Sequence, residues 1–112
     1  PEMSLTITPQ ETLAEVVVRE YSVSSDDQKF EPNIITANAG EKVIITFSVP
    51  ASHVSFGGER ISASNGLFDF SRVPVGESQV VEFIMPAESF TVRSYWPATS
   101  IFKASMQVKI EE

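Results

Sequence analysis

Apolar and polar residues alternate along most of this chain, and this period of two constrains its fold more than any other feature. Between residues 42 and 49, valine, isoleucine and phenylalanine alternate with lysine, threonine and serine, interrupted only by Ile44. Residues 106–110 repeat the pattern. Because successive side chains of a β-strand point to opposite faces, each run predicts a strand with one buried face. Residues 16–23, 78–84 and 90–95 predict further strands.

Glycine, proline and asparagine residues separate these runs at 38–41, 57–58, 65–66 and 74–77. Such residues favour tight turns, and a turn every 8–12 residues or so is typical of β-sandwiches. We therefore predict an all-β, single-domain Greek-key sandwich of about seven to nine short strands in two face-packed antiparallel layers. Residues 1–14 are expected to form an N-terminal arm or edge segment with a short helix at 8–11, and residues 15–112 the domain.

Composition excludes several functional classes. The 112-residue chain contains no cysteine, which removes disulfides, thiolate zinc sites, iron–sulfur clusters and cysteine nucleophiles. Its 15 acidic and 8 basic residues give a formal net charge of -7, so the surface repels nucleic-acid phosphates. No apolar run approaches the ~20 residues of a membrane-spanning helix. The acidic pair Asp26-Asp27, in a predicted hairpin loop, is expected to lie at a solvated tip rather than in a cation site.

Residues 30–47 carry the most specific motif: phenylalanine-x-proline, alternating apolar residues, alanine-glycine, and a strand that ends at Phe47. This segment resembles the opening of cupredoxin-like domains, and residues 90–92 and 106–110 resemble strands near the end of such domains. The resemblance covers residues 16–112 and implies a cupredoxin-like sandwich. The chain begins with Pro1 rather than methionine, and we expect an exported or membrane-tethered precursor with an extracytoplasmic location.

In cupredoxins that carry type 1 copper, two histidines, a cysteine and usually a weak methionine bind the metal. The resemblance places His53 at the first histidine position, Ser94 at the cysteine position and Phe102 near the methionine position. The loop at 95–100 has no second histidine. These differences exclude a type 1 site, and the lack of cysteine also excludes a dicopper site. By alternation along its strand, Ser94 is expected to be buried and to face the side chains around His53.

We therefore predict a non-redox binding or accessory module without a cofactor, whose partner is an unknown protein or small ligand. Catalysis is not expected, because no nucleophile-elbow or phosphate-loop motif is present. The apolar side chains that follow residue 94 either fold inward and fill the metal space or form an exposed interaction patch. These side chains are Tyr95, Trp96, Ile101 and Phe102.

A metal-binding domain is the alternative. His53 would then bind Zn²⁺ or Cu²⁺ together with carboxylates, for storage, delivery or sensing. The candidate carboxylate partners are Glu59, Asp69 and Glu88. Because a stable site takes three or four protein ligands, several of these side chains must come together in the fold.

Overall fold

The computed structural model describes residues 17–111, and every regular element within this range is a β-strand. The strands are β1 (Val18–Ser25), β2 (Phe30–Glu31), β3 (Ile34–Ala37), β4 (Lys42–Ser48), β5 (Gly58–Ala63), β6 (Asp69–Pro74), β7 (Ser78–Ile84), β8 (Phe90–Tyr95) and β9 (Phe102–Ile110). The all-β prediction is confirmed. The arm predicted at 1–14 and the helix predicted at 8–11 lie outside the described residues. Within residues 17–111, no helix is long and apolar enough to cross a membrane.

The strands form two sheets with the orders β2-β1-β4-β7 and β3-β9-β8-β5-β6. β1 pairs parallel with β4, from Val18 opposite Lys42 to Ser24 opposite Ser48. β3 pairs parallel with β9, and the remaining pairs are antiparallel. The expectation of wholly antiparallel layers is therefore wrong at two pairs. Each parallel pair joins two strands that are distant in the chain. The segment between them carries the chain back to the end of the sheet where the first strand began, so the second strand runs in the same direction.

The two sheets enclose a core of alternating apolar side chains. Val43, Ile45 and Phe47 of β4 are fully buried, as the alternation predicts, whereas Ile44 is half-buried on the opposite face. The Phe47 ring reaches across to Phe68, just before β6, with 5.8 Å between the ring centroids. Full burial of one such side chain contributes about 1.5–3 kcal/mol of transfer free energy. These contacts hold the two sheets together.

The loops divide between two ends of the sandwich. At the basal end, Gly40 adopts a φ of +88° in the turn between β3 and β4, a conformation that favours glycine. At the other end, which we call the apical end, β1, β4 and β8 finish and β5 and β9 begin. The loops at 26–29, 49–57 and 96–101 meet there. This is the end to which the sequence resemblance assigned the ligand positions of type 1 copper.

Candidate functional site

Two contacts join the apical loops to one another. The amide of Asp27 donates a 2.9 Å hydrogen bond to the carbonyl of His53, linking the β1–β2 loop to the β4–β5 loop. The rings of Phe56 and Trp96 meet edge to face with 4.5 Å between centroids, linking the β4–β5 loop to the β8–β9 loop. The apical end is therefore a connected set of loops carried on the ends of rigid strands.

Ser94 occupies the position that the resemblance assigns to the copper cysteine. Its side chain is fully buried, which confirms that part of the prediction. The amide of Ala104 on β9 donates to Ser94 Oγ over 3.1 Å, and the hydroxyl lies 3.5 Å from the Ala104 carbonyl oxygen. The hydroxyl thus stabilises the pairing of β8 with β9 at the point where their register shifts, between Ser94 and Tyr95.

The other two positions that the resemblance assigns to copper ligands face solvent. His53 is exposed in the β4–β5 loop, where its φ of +61° lies in the left-handed region. Phe102, at the start of β9, is 52% exposed. A buried hydroxyl, an exposed imidazole and an exposed phenyl ring do not form the donor set of type 1 copper.

Glu59 is the main site residue whose environment the sequence did not reveal. It lies on β5 and is fully buried in the protein interior. Within residues 17–111, neither of its carboxylate oxygens has a hydrogen-bond partner. Burial of an ionised carboxylate without partners is very costly, so the protein favours the protonated acid at this position.

Asp27 faces Glu59 from the β1–β2 loop. Burial, together with the negative charges of Asp27 and Asp26, raises the pKa of Glu59 to about 9, and the positive charge of Lys103 only partly opposes this. Burial also disfavours ionisation of Asp27, but attraction to the Glu59 carboxyl, the Trp96 indole and the Ser55 amide outweighs it, so the Asp27 pKa lies below its usual value. At neutral pH the pair therefore consists of a neutral acid and a carboxylate.

Only some of the polar atoms around this carboxyl pair have hydrogen-bond partners. Asp27 Oδ2 accepts a 2.9 Å hydrogen bond from the amide of Ser55. In the described part of the chain, Asp27 Oδ1 and Trp96 Nε1 are buried without a hydrogen bond of good geometry. Glu59, Asp27 and Trp96 are therefore held close by charge–dipole attraction and packing rather than by aligned hydrogen bonds.

The expectation that the acidic pair lies at a solvated tip is wrong. Asp26 is only 8% exposed. Its Oδ1 accepts hydrogen bonds from the backbone amides of Gln28 and Lys29 at 2.7 and 2.9 Å, and these bonds stabilise the β1–β2 turn. Asp27, the next residue, turns towards Glu59 instead. A local charge pattern could not reveal this, because the partner lies 32 residues further along the chain.

The three carboxylates proposed as partners of His53 lie in different parts of the molecule. Glu59 is buried at the apical end, whereas Asp69 on β6 forms a 2.7 Å ion pair with Arg60. Glu88 is exposed in the loop between β7 and β8, at the basal end. Among residues 17–111, no three histidine, cysteine, aspartate or glutamate side chains are grouped so that they could hold a metal ion.

Aromatic side chains extend from the carboxyl pair to the surface, beginning with Trp96, whose indole interacts with Asp27. Trp96 is half-buried, and the ammonium of Lys103 lies 4.0 Å from the centroid of its ring. Phe56 is 68% exposed beside it, and Ile101 is 49% exposed in the same loop as Trp96. The apical aromatic surface, as we call it, consists of Phe56, Tyr95, Trp96, Ile101 and Phe102. The structure thus divides the predicted segment: Trp96 turns partly inward, whereas Ile101 and Phe102 face solvent.

Phe56 is the member of this surface that the sequence analysis did not identify. It precedes Gly57 and Gly58, and its φ of +59° is unusual for a bulky residue. A phenylalanine between serine and two glycines is a weak signal for an exposed aromatic side chain, since its exposure depends on the packing of Trp96 from a distant loop.

The fold is similar to that of several solved proteins. The metal-binding domain of the Streptococcus pneumoniae D39 Cu(I)-exporting P-type ATPase CopA, solved with Cu(I), matches with a TM-score of 0.65 at 14% identity, over 88% of this chain and 90% of that one. Dithionite-reduced auracyanin from the photosynthetic bacterium Roseiflexus castenholzii gives 0.61 at 10% identity, over 86% and 99%. A copper-binding protein solved in the apo form by NMR gives 0.59 at 18% identity, over 84% and 88%.

These matches rest on three-dimensional structure. No protein-family model matches the chain, and no curated protein matches its sequence. At such low identity a structural likeness establishes a fold and leaves activity to be argued from the site itself. The chain has the cupredoxin fold, in a divergent form whose sequence lacks the cysteine of a type 1 copper site.

Proposed function

We propose that this domain is a non-redox binding module that engages a protein partner through its apical aromatic surface. The exposure of three large apolar side chains at one end, those of Phe56, Ile101 and Phe102, carries the proposal. Contiguous exposed apolar patches mark interaction sites, and aromatic residues contribute strongly to protein interfaces. The cation Lys103 beside Trp96 adds a polar contact that would favour a partner with an acidic or carbonyl-rich surface.

The non-redox part of the proposal is supported by the chemistry of Ser94. A serine hydroxyl is not a substitute for the thiolate on which type 1 copper depends. Its contacts with Ala104 give it a structural task in the pairing of β8 with β9. The proposal includes no catalytic step, no bound cofactor and no nucleic-acid partner, and it places the domain outside the cytoplasm as part of an exported or tethered protein.

Metal binding by His53 and carboxylates is the second proposal. One of the proteins with a similar fold is described as the metal-binding domain of a Cu(I)-exporting ATPase. The separation of Glu59, Asp69 and Glu88 supports the first proposal over this one, since no group of three metal-binding side chains is present among residues 17–111 and Asp69 pairs with Arg60. Calorimetric titration of the chelator-treated protein with Zn²⁺ and Cu²⁺ tests the choice. Micromolar binding that is lost in His53→Ala would favour the metal-binding domain.

Site-specific photo-crosslinking tests the binding module. A photoreactive phenylalanine analogue at position 102 is expected to capture a discrete protein in the source cells. The matched control carries the same group at Leu67, which is 43% exposed in the β5–β6 loop at the basal end. Capture from position 102 that disappears with Phe56→Ser would support the apical surface. Equal capture from both positions, or none from position 102, would count against the proposal.

A further inference from the structure

Within residues 17–111 the two sheets have four outer strands, and three of them are poorly suited to pair with another chain. β2 has two residues and β3 has four. β6 carries the charged residues Asp69 and Arg72 and ends with Pro74. Short length, charge and proline are the features that protect sheet edges from further pairing. β7 differs: its seven residues include no proline and a single charge, at Glu82.

The hydrogen bonds of β7 with β4 show which backbone groups point outward. The amide of Met85 donates to Glu41, and the amide of Val49 donates to Glu77, at 2.8 and 3.1 Å. In an antiparallel pair such bonded positions alternate with positions whose N–H and C=O groups point away. With the observed register, the outward groups belong to residues 78, 80, 82 and 84. No strand among residues 17–111 pairs with that edge.

The side chains of this edge suit an apolar, nearly neutral contact. Val80 and Ile84 are 54% and 59% exposed. Glu82 lies 3.5 Å from the ammonium of Lys42 on the neighbouring strand, which compensates its charge. An exposed strand with β-branched residues, compensated charge and backbone groups that pair with no strand among residues 17–111 is a template for another strand.

We propose that β7 pairs antiparallel with β7 of a second copy of this chain, about a two-fold axis at Val81. In this register Val80 lies opposite Glu82 of the partner subunit, and Ser78 lies opposite Ile84 of the partner subunit. All four outward-facing residues then pair, which gives about eight backbone hydrogen bonds and a continuous eight-stranded sheet. No glutamate faces another glutamate.

The self-complementary register favours a second copy over an unrelated peptide. A two-fold axis at Val81 pairs every outward residue with another outward residue, so the same edge satisfies both copies. The interface is small and each chain carries a formal charge of -7, so the dimer is expected to depend on protein concentration and to strengthen with salt.

Charge changes at position 80 test this register in the full chain. Sedimentation velocity at physiological salt over a wide concentration range gives the dimer dissociation constant. In the Val80→Glu variant, a second carboxylate would lie opposite Glu82 at both symmetry-related positions of the dimer. We expect this repulsion to weaken dimerisation at least about tenfold, which corresponds to about 1.4 kcal/mol. In the Val80→Lys variant, an ammonium group would lie opposite Glu82 at both positions, and we expect dimerisation to become several-fold stronger. Ile34→Glu and Ile34→Lys, at an exposed position on β3, control for net charge.

Two results would overturn the proposal: a wild-type chain that is monomeric throughout the range, or shifts of the same sign for both Val80 variants. Amide hydrogen exchange gives a readout that does not depend on variants. Protection of the Val80 and Glu82 amides is expected to rise with protein concentration. Protection that is independent of concentration would show that the edge is covered within one chain, for example by residues 1–16, and would contradict a dimer.

Discussion

At the scale of single residues, the burial of Glu59 has the largest electrostatic consequence. Its pKa is raised from 4.5 to about 9 in the folded protein, chiefly by burial and then by Asp27. The folded state therefore holds a proton that the unfolded state releases between these pH values. Stability contributed by the protonated acid is complete below about pH 4.5 and is lost as the pH rises towards 9.

Glu59→Gln tests this linkage, because glutamine keeps the shape of the neutral acid and cannot ionise. We expect the free energy of unfolding of the wild type to fall between pH 5 and pH 9 by up to about 1.4 kcal/mol per pH unit, and the variant to lack this slope. Urea unfolding at several pH values measures both proteins. Glu20→Gln, on the exposed face of β1, is the control and should leave the slope unchanged. Parallel curves for wild type and Glu59→Gln would show that Glu59 is ionised in the folded protein.

Ser94 supports a second prediction at the residue scale. Ser94→Ala removes the acceptor of the Ala104 amide, and a buried donor without a partner costs about 1–3 kcal/mol. We expect a loss of stability of this size in urea unfolding at neutral pH. Ser105→Ala, at an exposed position of β9, should change stability little. Equal stability of Ser94→Ala and wild type would indicate that the hydroxyl has no structural task.

At the scale of elements, the strands could be predicted because alternation is local. The core residues of β4, β8 and β9 follow the period of two that burial of one face requires. The parallel pairing of β1 with β4 and the meeting of Asp27 with Glu59 could not be predicted, since both depend on contacts between distant segments. Trp96 was identified as a residue of interest, but its partial burial depends on Phe56 and Lys103, which come from two other segments.

Gly58 provides a test at this scale, because β6 approaches the backbone of β5 closely there. A Cβ at position 58 would overlap the carbonyl oxygen of Val73, and the φ of +155° is also unfavourable for other residues. Gly58→Ala should therefore destabilise the fold by about 3 kcal/mol or more, as overpacking against backbone does. Gly66→Ala is the matched control: its φ is +82° and nothing lies within 4 Å of the added carbon. It should cost only about 1 kcal/mol.

If both glycine variants lose stability equally, the conformational preference of glycine would account for the effect and the close approach of β6 to β5 would have no role. Thermal unfolding followed by circular dichroism is sufficient to separate the two costs, because a difference of 2 kcal/mol shifts the midpoint of a domain of this size by about 8 °C or more.

At the scale of the whole molecule, the cupredoxin fold is present and the donor set for type 1 copper is not, because the sequence has no cysteine. The sandwich depends on buried apolar residues such as Ile45, Phe47 and Val108, none of which the metal would need. The apical end contains a buried polar centre, and that centre is a carboxyl pair next to Trp96. The sequence resemblance therefore predicted the scaffold correctly, whereas the non-redox role inferred from the absence of cysteine stays a prediction.

Copper titration followed by absorption spectroscopy and voltammetry tests the proposed non-redox role most directly. We expect chelator-treated protein mixed with Cu²⁺ to show no intense blue thiolate-to-copper band and no reversible one-electron wave, and His53→Ala to behave identically. An intense blue band or a reversible wave from protein-bound copper, in the wild type and not in His53→Ala, would contradict a non-redox domain.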